Sequence, residues 1–192
     1  MQVYRVGIKF LLAEPALLRV RDVVPVFHTW IQKQAIPGHL LVDVHDYSHI
    51  HWGPGILLVA HEANFSIDMD QGKTGLFYYR KQPLDGSTEQ RVESILKPAL
   101  QGCCLLEEEP SFEHPLRFRT DEFVVVANDR LQAPNDAGTF AKFEPALSGV
   151  VRQLTGGAPF KLTPVAANSK ERFMIRVETG QSATVRELLE RL

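Results

Sequence analysis

The segment from Leu40 to Gln82 contains three apolar runs joined by connections too short to hold a crossover helix. The runs are LLVDVHDYSHI, GILLVAHEANFSID and LFYYRKQ, and the second has a nearly continuous apolar centre. Parallel neighbours need a connection of about a dozen residues or more, whereas antiparallel neighbours need only a short turn. The segment therefore predicts three adjacent antiparallel strands.

The rest of the chain alternates between strand and helix patterns. Loose alternation of apolar residues predicts a strand over residues 3–12, and aromatic and β-branched runs predict three more strands later in the chain. Helical spacing of apolar residues predicts four helices, whose expected N-caps are Asp22, Ser87 in a capping box with Gln90, Asn135 or Asp136, and Ser182. We expect Pro98 to kink or split its helix, while Pro145 permits either one helix or two short ones.

These elements give the order β-α-β-β-β-α-β-α-β-β-α. Because the strands come in adjacent groups, the order predicts an α+β fold with a mainly antiparallel sheet and about four helices, not a doubly wound parallel sheet. The length of 192 residues fits a single domain over residues 1–192, with a two-lobe seam near residues 81–88.

Charge and cysteine content exclude several classes of protein. The formal net charge is -2 and lysine and arginine are scattered, which argues against a nucleic-acid partner. No apolar run has the length that spans a membrane, so we expect no membrane partner. Cys103 and Cys104 are adjacent, and adjacent cysteines rarely reach disulfide geometry. The sequence therefore predicts a cytoplasmic protein without a disulfide framework.

A cluster of histidines and acids lies between residues 43 and 62. Residues two apart on a strand share a face, so His49 and His51 would point to the same side. The cluster predicts a divalent metal site, with zinc or iron as the metal and four candidate ligands: His45, His49, His51 and His61. The identity of the cofactor stays open at this point.

Two other interpretations of the same cluster stay open. In the first, His61 and Glu62 carry out acid–base chemistry with Tyr47 as a third group, which would make the protein a hydrolase-like enzyme. In the second, the cluster is a polar strand face and loop whose histidines bond to backbone and water. Whether the protein is an enzyme is not decided by the sequence.

A second polar group follows the apolar strand near Val126. Asn128, Asp129 and Arg130 lie at its end, where functional side chains often collect on loops, and this position predicts a site for a polar or carboxylated ligand. The alternative is a turn, because asparagine and aspartate are frequent in turns and helix caps.

The segments DVHDYSHIHWGPG, HEANFSID and NDRLQAPN resemble a family of bacterial proteins of similar length that has no assigned activity. The resemblance implies a bacterial source and assigns no reaction and no functional residue. The sequence thus predicts a small-molecule or metal-binding protein that uses the cluster at 43–62. The competing hypothesis is a non-catalytic protein that self-associates as a homodimer, in which the aromatic strand LFYY offers an exposed edge.

Overall fold

The computed structural model describes residues 5–51, 53–165, 171–180 and 183–192. Within them the chain forms one eight-stranded antiparallel sheet and four α-helices. The strands are β1 Val6–Leu12, β2 Leu41–Tyr47, β3 Gly55–Ala60, β4 Ala63–Asp68, β5 Gly75–Arg80, β6 Phe118–Ala127, β7 Lys161–Pro164 and β8 Phe173–Glu178. The helices are α1 Val23–Lys33, α2 Thr88–Glu107, α3 Ala137–Leu154 and α4 Val185–Glu190. The predicted α+β fold with a mainly antiparallel sheet is confirmed.

The spatial order of the strands is β2-β3-β4-β5-β1-β6-β8-β7. The sheet has one more strand than the sequence predicts, because GILLVAHEANFSID forms the hairpin of β3 and β4. His61 and Glu62 form the connection between these strands. Neither is a residue type that marks a turn, so the boundary has no sequence signal. The aromatic strand β5 pairs with β4 on one side and β1 on the other, so it is not an edge.

The helices begin largely where the capping residues predict. Ser87 and Gln90 form the expected capping box of α2, and Asp136 accepts from the Thr139 N–H at the start of α3. Asp22 occupies the N-cap of α1 without a side-chain cap bond. Both α2 and α3 continue through their prolines as single helices.

Two predicted features fall outside the described residues, namely the cap at Ser182 and the start of the first strand at residues 3 and 4. The N-cap of α4 is Thr184, in a capping box with Glu187. No helix in the described ranges has the length and apolar content needed to cross a bilayer. The cytoplasmic setting stays a prediction.

The two faces of the sheet differ in what covers them. The inner face packs against all four helices, and its large side chains are fully buried, including Phe10, Phe65, Tyr78, Phe123 and Phe173. The opposite face, which we call the open face, has a second apolar cluster made only of strand residues and Val165, centred on Phe77, Val126 and Met174. The open face carries the candidate site.

Candidate functional site

The central strand β4 presents three polar side chains to the open face. Asn64, Ser66 and Asp68 alternate with Phe65 and Ile67, which enter the core. Polar residues on the outer face of a one-sided sheet are normally solvated. These three are nevertheless buried, with 6%, 1% and 8% of their surface exposed, respectively. Buried polar groups of this kind need partners, so their hydrogen bonds are informative.

The register of the strands places Ser66 of β4 in a row of side chains that crosses the whole open face. One row of neighbours crosses all eight strands of the open face: His45, Leu57, Ser66, Phe77, Lys9, Val124, Arg176 and Thr163. Lys9 on β1 forms a buried ion pair with Asp68 on β4. Gly75 of the intervening β5 is the neighbour of Asp68 and has no side chain to block this contact.

Two polar side-chain atoms of β4 have no hydrogen-bond partner among the described residues. The Asn64 side-chain amide donates to the Tyr79 hydroxyl oxygen at 2.5 Å, but Asn64 Oδ1 accepts no hydrogen bond. Ser66 Oγ is likewise buried without a partner. A buried hydroxyl without a hydrogen bond costs about 1–3 kcal/mol, so its presence calls for a reason other than stability.

Ser66 forms part of a cavity of about 360 Å³, which we call the polar hollow. Its lining residues are Gly53, Pro54, Ser66, Asp68, Asp70, Phe77, Tyr79, Asn128 and Arg172. The volume lies at the lower end of the range of roughly 300–1,000 Å³ that is typical of small-molecule sites. The polar hollow therefore has room for a small organic molecule.

A narrower apolar slot of about 50 Å³ adjoins the polar hollow. Its apolar lining consists of Leu11, Phe77, Val124, Val126, Val165 and Met174. Charged side chains complete its lining: Lys9, Asp68, Asp70, Lys73, Arg172 and Arg176. Asp68, Asp70, Phe77 and Arg172 line both spaces, so the hollow and the slot adjoin each other at these residues.

The charged groups of the site form salt bridges in which four cations share three carboxylates. Arg172 contacts Asp70 at 3.2 Å, and its guanidinium lies 5.8 Å from the centre of the Phe77 ring. Lys73 and Arg176 each approach Glu122 at 3.4 Å. Together with the buried pair of Lys9 and Asp68, these contacts give every charged residue that lines the site an oppositely charged neighbour.

A glycine on β1 makes room for the aromatic wall of the hollow. Gly7 lies between Tyr79 on β5 and Val126 on β6. A Cβ atom there would lie 2.8 Å from Phe77 Cε2, from the Tyr78 carbonyl oxygen and from Tyr79 Cβ. Because Gly7 has no Cβ, the rings of Phe77 and Tyr79 lie side by side, with their centroids 5.4 Å apart.

The predicted histidine cluster is only partly assembled. His45, Tyr47 and His49 form a row along the exposed edge strand, with successive ring centroids 6.0 and 6.5 Å apart. His45 Nε2 lies 3.4 Å from Asp43 Oδ2. His51 lies in the loop that follows. Within the described ranges, no three His, Cys, Asp or Glu side chains come together in a way that could hold a metal ion.

His61 and Glu62 lie at the opposite end of the same hairpin. Leu41 pairs with Ala60 and Tyr47 pairs with Gly55, so six residues of strand, about 20 Å, separate the two ends. The structure therefore does not bring His61 or Glu62 to Tyr47, His49 or His51. Burial alone would raise the pKa of Glu62, but the hydrogen bond from the Leu40 N–H and the nearby His39 and His61 lower it overall.

The structure places the three residues of the predicted ligand group at 128–130 in different surroundings. Asn128 lines the polar hollow, while its N–H donates to the Arg5 carbonyl at 2.8 Å. Asp129 organises a turn, because its side chain accepts from the Gln132 N–H at 3.2 Å. It also lines a separate cavity of about 350 Å³ with Arg5 and Asn128. Arg130 is exposed to solvent. The role of this group as a ligand site stays a prediction.

Sequence reasoning missed a half-buried histidine on the helix side, His39. His39 Nδ1 donates to the Pro37 carbonyl at 3.1 Å, which leaves Nε2 to accept from the Tyr78 hydroxyl at 2.9 Å. Burial lowers the pKa of His39, and the charge of Arg80 acts in the same direction. Burial raises the pKa of Tyr78. Since both ring nitrogens are bonded, His39 is a structural histidine and not a free base.

Sequence reasoning also missed Lys9, Ser66, Asp70, Phe77, Tyr79 and Arg172, which line the site. One signal was present, because N-F-S-I-D at 64–68 alternates polar and apolar residues on a strand expected in the centre of the sheet. Alternation indicates one polar face, but it does not tell whether that face is solvated. Burial of the polar face depends on neighbouring strands that are distant in sequence.

Comparisons with known proteins give no family for this chain. No family model, no curated protein and no solved structure matches the chain. The resemblance to a bacterial family stays a prediction.

Proposed function

We propose that this protein binds a small organic molecule in the polar hollow and apolar slot of its open face. The observation that carries the proposal is Ser66, whose hydroxyl is buried beside the hollow with no hydrogen-bond partner among the described residues. A folded protein tolerates the cost of such a group where the group serves binding. A bound molecule would satisfy it.

Three further features support binding at this place. Strands β4 and β5 supply Ser66, Asp68, Phe77 and Tyr79 to the wall of the cavity, which keeps that part of its geometry rigid, and loop residues complete the lining. Apolar and polar walls meet at Phe77, as in sites that orient a ligand through a few polar groups. The polar residues at its floor come from β4, which is hydrogen-bonded on both sides.

Phenol and isopropanol are suitable probes, because each combines a hydroxyl with an apolar group. Titration into 15N-labelled protein, followed by amide chemical shifts, locates where they bind. We expect the largest shifts at Ser66, Phe77, Tyr79 and Asn128. Shifts confined to the row of His45 and its neighbours would contradict the proposal.

Two matched variants sharpen this test. Ser66→Val removes the hydroxyl and fills the hollow, so the shifts should be lost. Thr163→Val removes another buried hydroxyl that lacks a partner in the described residues, but this residue does not line the hollow. Binding should survive in Thr163→Val. Equal loss in both variants would indicate a general disturbance of the open face and would contradict the proposal.

Self-association is the second candidate function, and edge strand β2 favours it. Leu40 and Val42 are 56% and 55% exposed, which is unusual for large apolar residues at a sheet edge. A β-bulge between Leu41 and Asp43 and the nearby acids oppose strand pairing. Sedimentation velocity over a wide concentration range tests this candidate. A dimer that is dissociated by the substitution Val42→Asp would support self-association, and a monomer at all concentrations would contradict it.

A further inference from the structure

We propose that the bound molecule is uncharged, with a carboxamide-like head in the polar hollow and a small branched alkyl group in the apolar slot. This inference rests on the proposed function, and it adds the chemical class of the ligand. It follows from which groups of the site already have partners and which do not.

A charged head is disfavoured in the polar hollow because the charged side chains that line the hollow are already paired. Lys9 pairs with Asp68, and Arg172 pairs with Asp70. Two cations that line the slot, Lys73 and Arg176, share the single carboxylate of Glu122, so the excess positive charge lies outside the hollow. An anion or a cation in the hollow would have to break one of these pairs or remain without a counter-charge. Breaking a buried pair leaves one charge uncompensated, which is strongly unfavourable.

The groups that remain for a ligand are neutral. Ser66 Oγ has both a proton to donate and lone pairs to accept with. The Tyr79 oxygen accepts from the Asn64 amide, so the Tyr79 hydroxyl proton is not used in that bond. Donors and acceptors side by side match a carboxamide, which offers both an N–H and a carbonyl oxygen.

The slot determines the size of the apolar part. Its volume of about 50 Å³ is large enough for one or two methyl-sized groups, given that a water molecule takes roughly 30 Å³ in the liquid. Phe77, Val126 and Met174 line it, so apolar contact is available on several sides. An isopropyl group fits this space, whereas a long alkyl chain does not.

Three molecules that share an isopropyl group and a planar head of similar shape separate the charge classes: isobutyramide is neutral, isobutyrate is an anion and isobutyramidine is a cation near neutral pH. Dissociation constants come from titrations followed by amide shifts of Ser66, Tyr79 and Asn128. We expect isobutyramide to bind about tenfold more tightly than either charged analogue, because a charged head disturbs the paired groups. We expect Ser66→Val to abolish the binding of isobutyramide and Thr163→Val to leave it unchanged.

The outcomes distinguish this inference from the function on which it rests. Tighter binding of isobutyrate or isobutyramidine at the same residues would overturn the uncharged class and leave the binding site intact. If none of the three molecules shifts these residues, and phenol and isopropanol also fail, both the ligand class and the proposed function are overturned. Isobutyramide binding that survives in Ser66→Val would also contradict the inference, because the hydroxyl would then have no part in it.

Discussion

Replacing Ser66 with alanine is expected to make the protein more stable in the absence of a ligand. Most buried substitutions destabilise, so the sign of this effect is informative. Ser66 has 1% of its surface exposed, and Oγ has no hydrogen-bond partner among the described residues. Its removal relieves an unsatisfied polar group.

The magnitude follows from two opposing effects. Leaving a buried hydroxyl unsatisfied costs about 1–3 kcal/mol. Removing its oxygen leaves a space of about 15 Å³, which costs roughly 0.4 kcal/mol at about 24 cal/mol per Å³. The net expectation for Ser66→Ala is a gain of about 1 kcal/mol in the free energy of unfolding. For a chain of this length that gain corresponds to a rise of roughly 2–4 °C in Tm.

Urea denaturation at neutral pH measures this free energy, and an unchanged m-value would show that the unfolded state is not altered. Thr179→Val is the matched control, because Thr179 Oγ1 donates to the Thr120 carbonyl at 2.9 Å and is also buried. That variant should lose about 1 kcal/mol. A loss of 1 kcal/mol or more in Ser66→Ala would refute the reasoning, because Ser66 would then be a satisfied structural residue.

Three further predictions test other parts of the account. Gly7→Ala should destabilise the protein by about 1–3 kcal/mol in urea denaturation, because its Cβ would meet the Tyr78 carbonyl oxygen at 2.8 Å; wild-type stability would contradict the close packing. The pKa of His39 is lowered in the folded state, so the unfolded state binds more protons below its usual pKa of about 6.5. His39→Gln should therefore lose less stability than the wild type as the pH falls from 7 through the folded pKa, and parallel stability curves would disprove this. Burial raises the pKa of both thiols, Cys103 and Cys104, so a thiol reagent should modify them only after unfolding; rapid labelling of the native protein would be the opposite result.

The sequence predicts the elements of this fold well because local signals mark most of them. The capping box at Ser87 and the turn signals around the strand runs lie within a few residues of the boundaries they set. The turn at His61 and Glu62 lacks such a signal, and for that reason β3 and β4 were merged into one strand. The prediction of an antiparallel sheet is nevertheless correct, because the connections between neighbouring strands are short whether this segment forms one strand or two.

The candidate site was harder to predict because it depends on contacts between strands that are distant in sequence. Lys9 and Asp68 are 59 residues apart, and Arg172 and Asp70 are 102 residues apart. No local spacing indicates that these residues meet. The histidines predict a metal site because their chemistry is recognisable, but the register separates His61 from the others. The position of Asn128 at a strand end predicts a ligand site, and that position does bring Asn128 to the hollow.

Intermolecular nuclear Overhauser effects between isobutyramide and the protein show most directly whether a neutral ligand occupies the hollow and the slot. We expect contacts from the isopropyl methyl groups to the Phe77 ring and to the methyl groups of Val126 and Met174, with the amide protons near Ser66. Contacts to His45, Tyr47 or His49 on the edge strand, or to residues of the helix side, would contradict it.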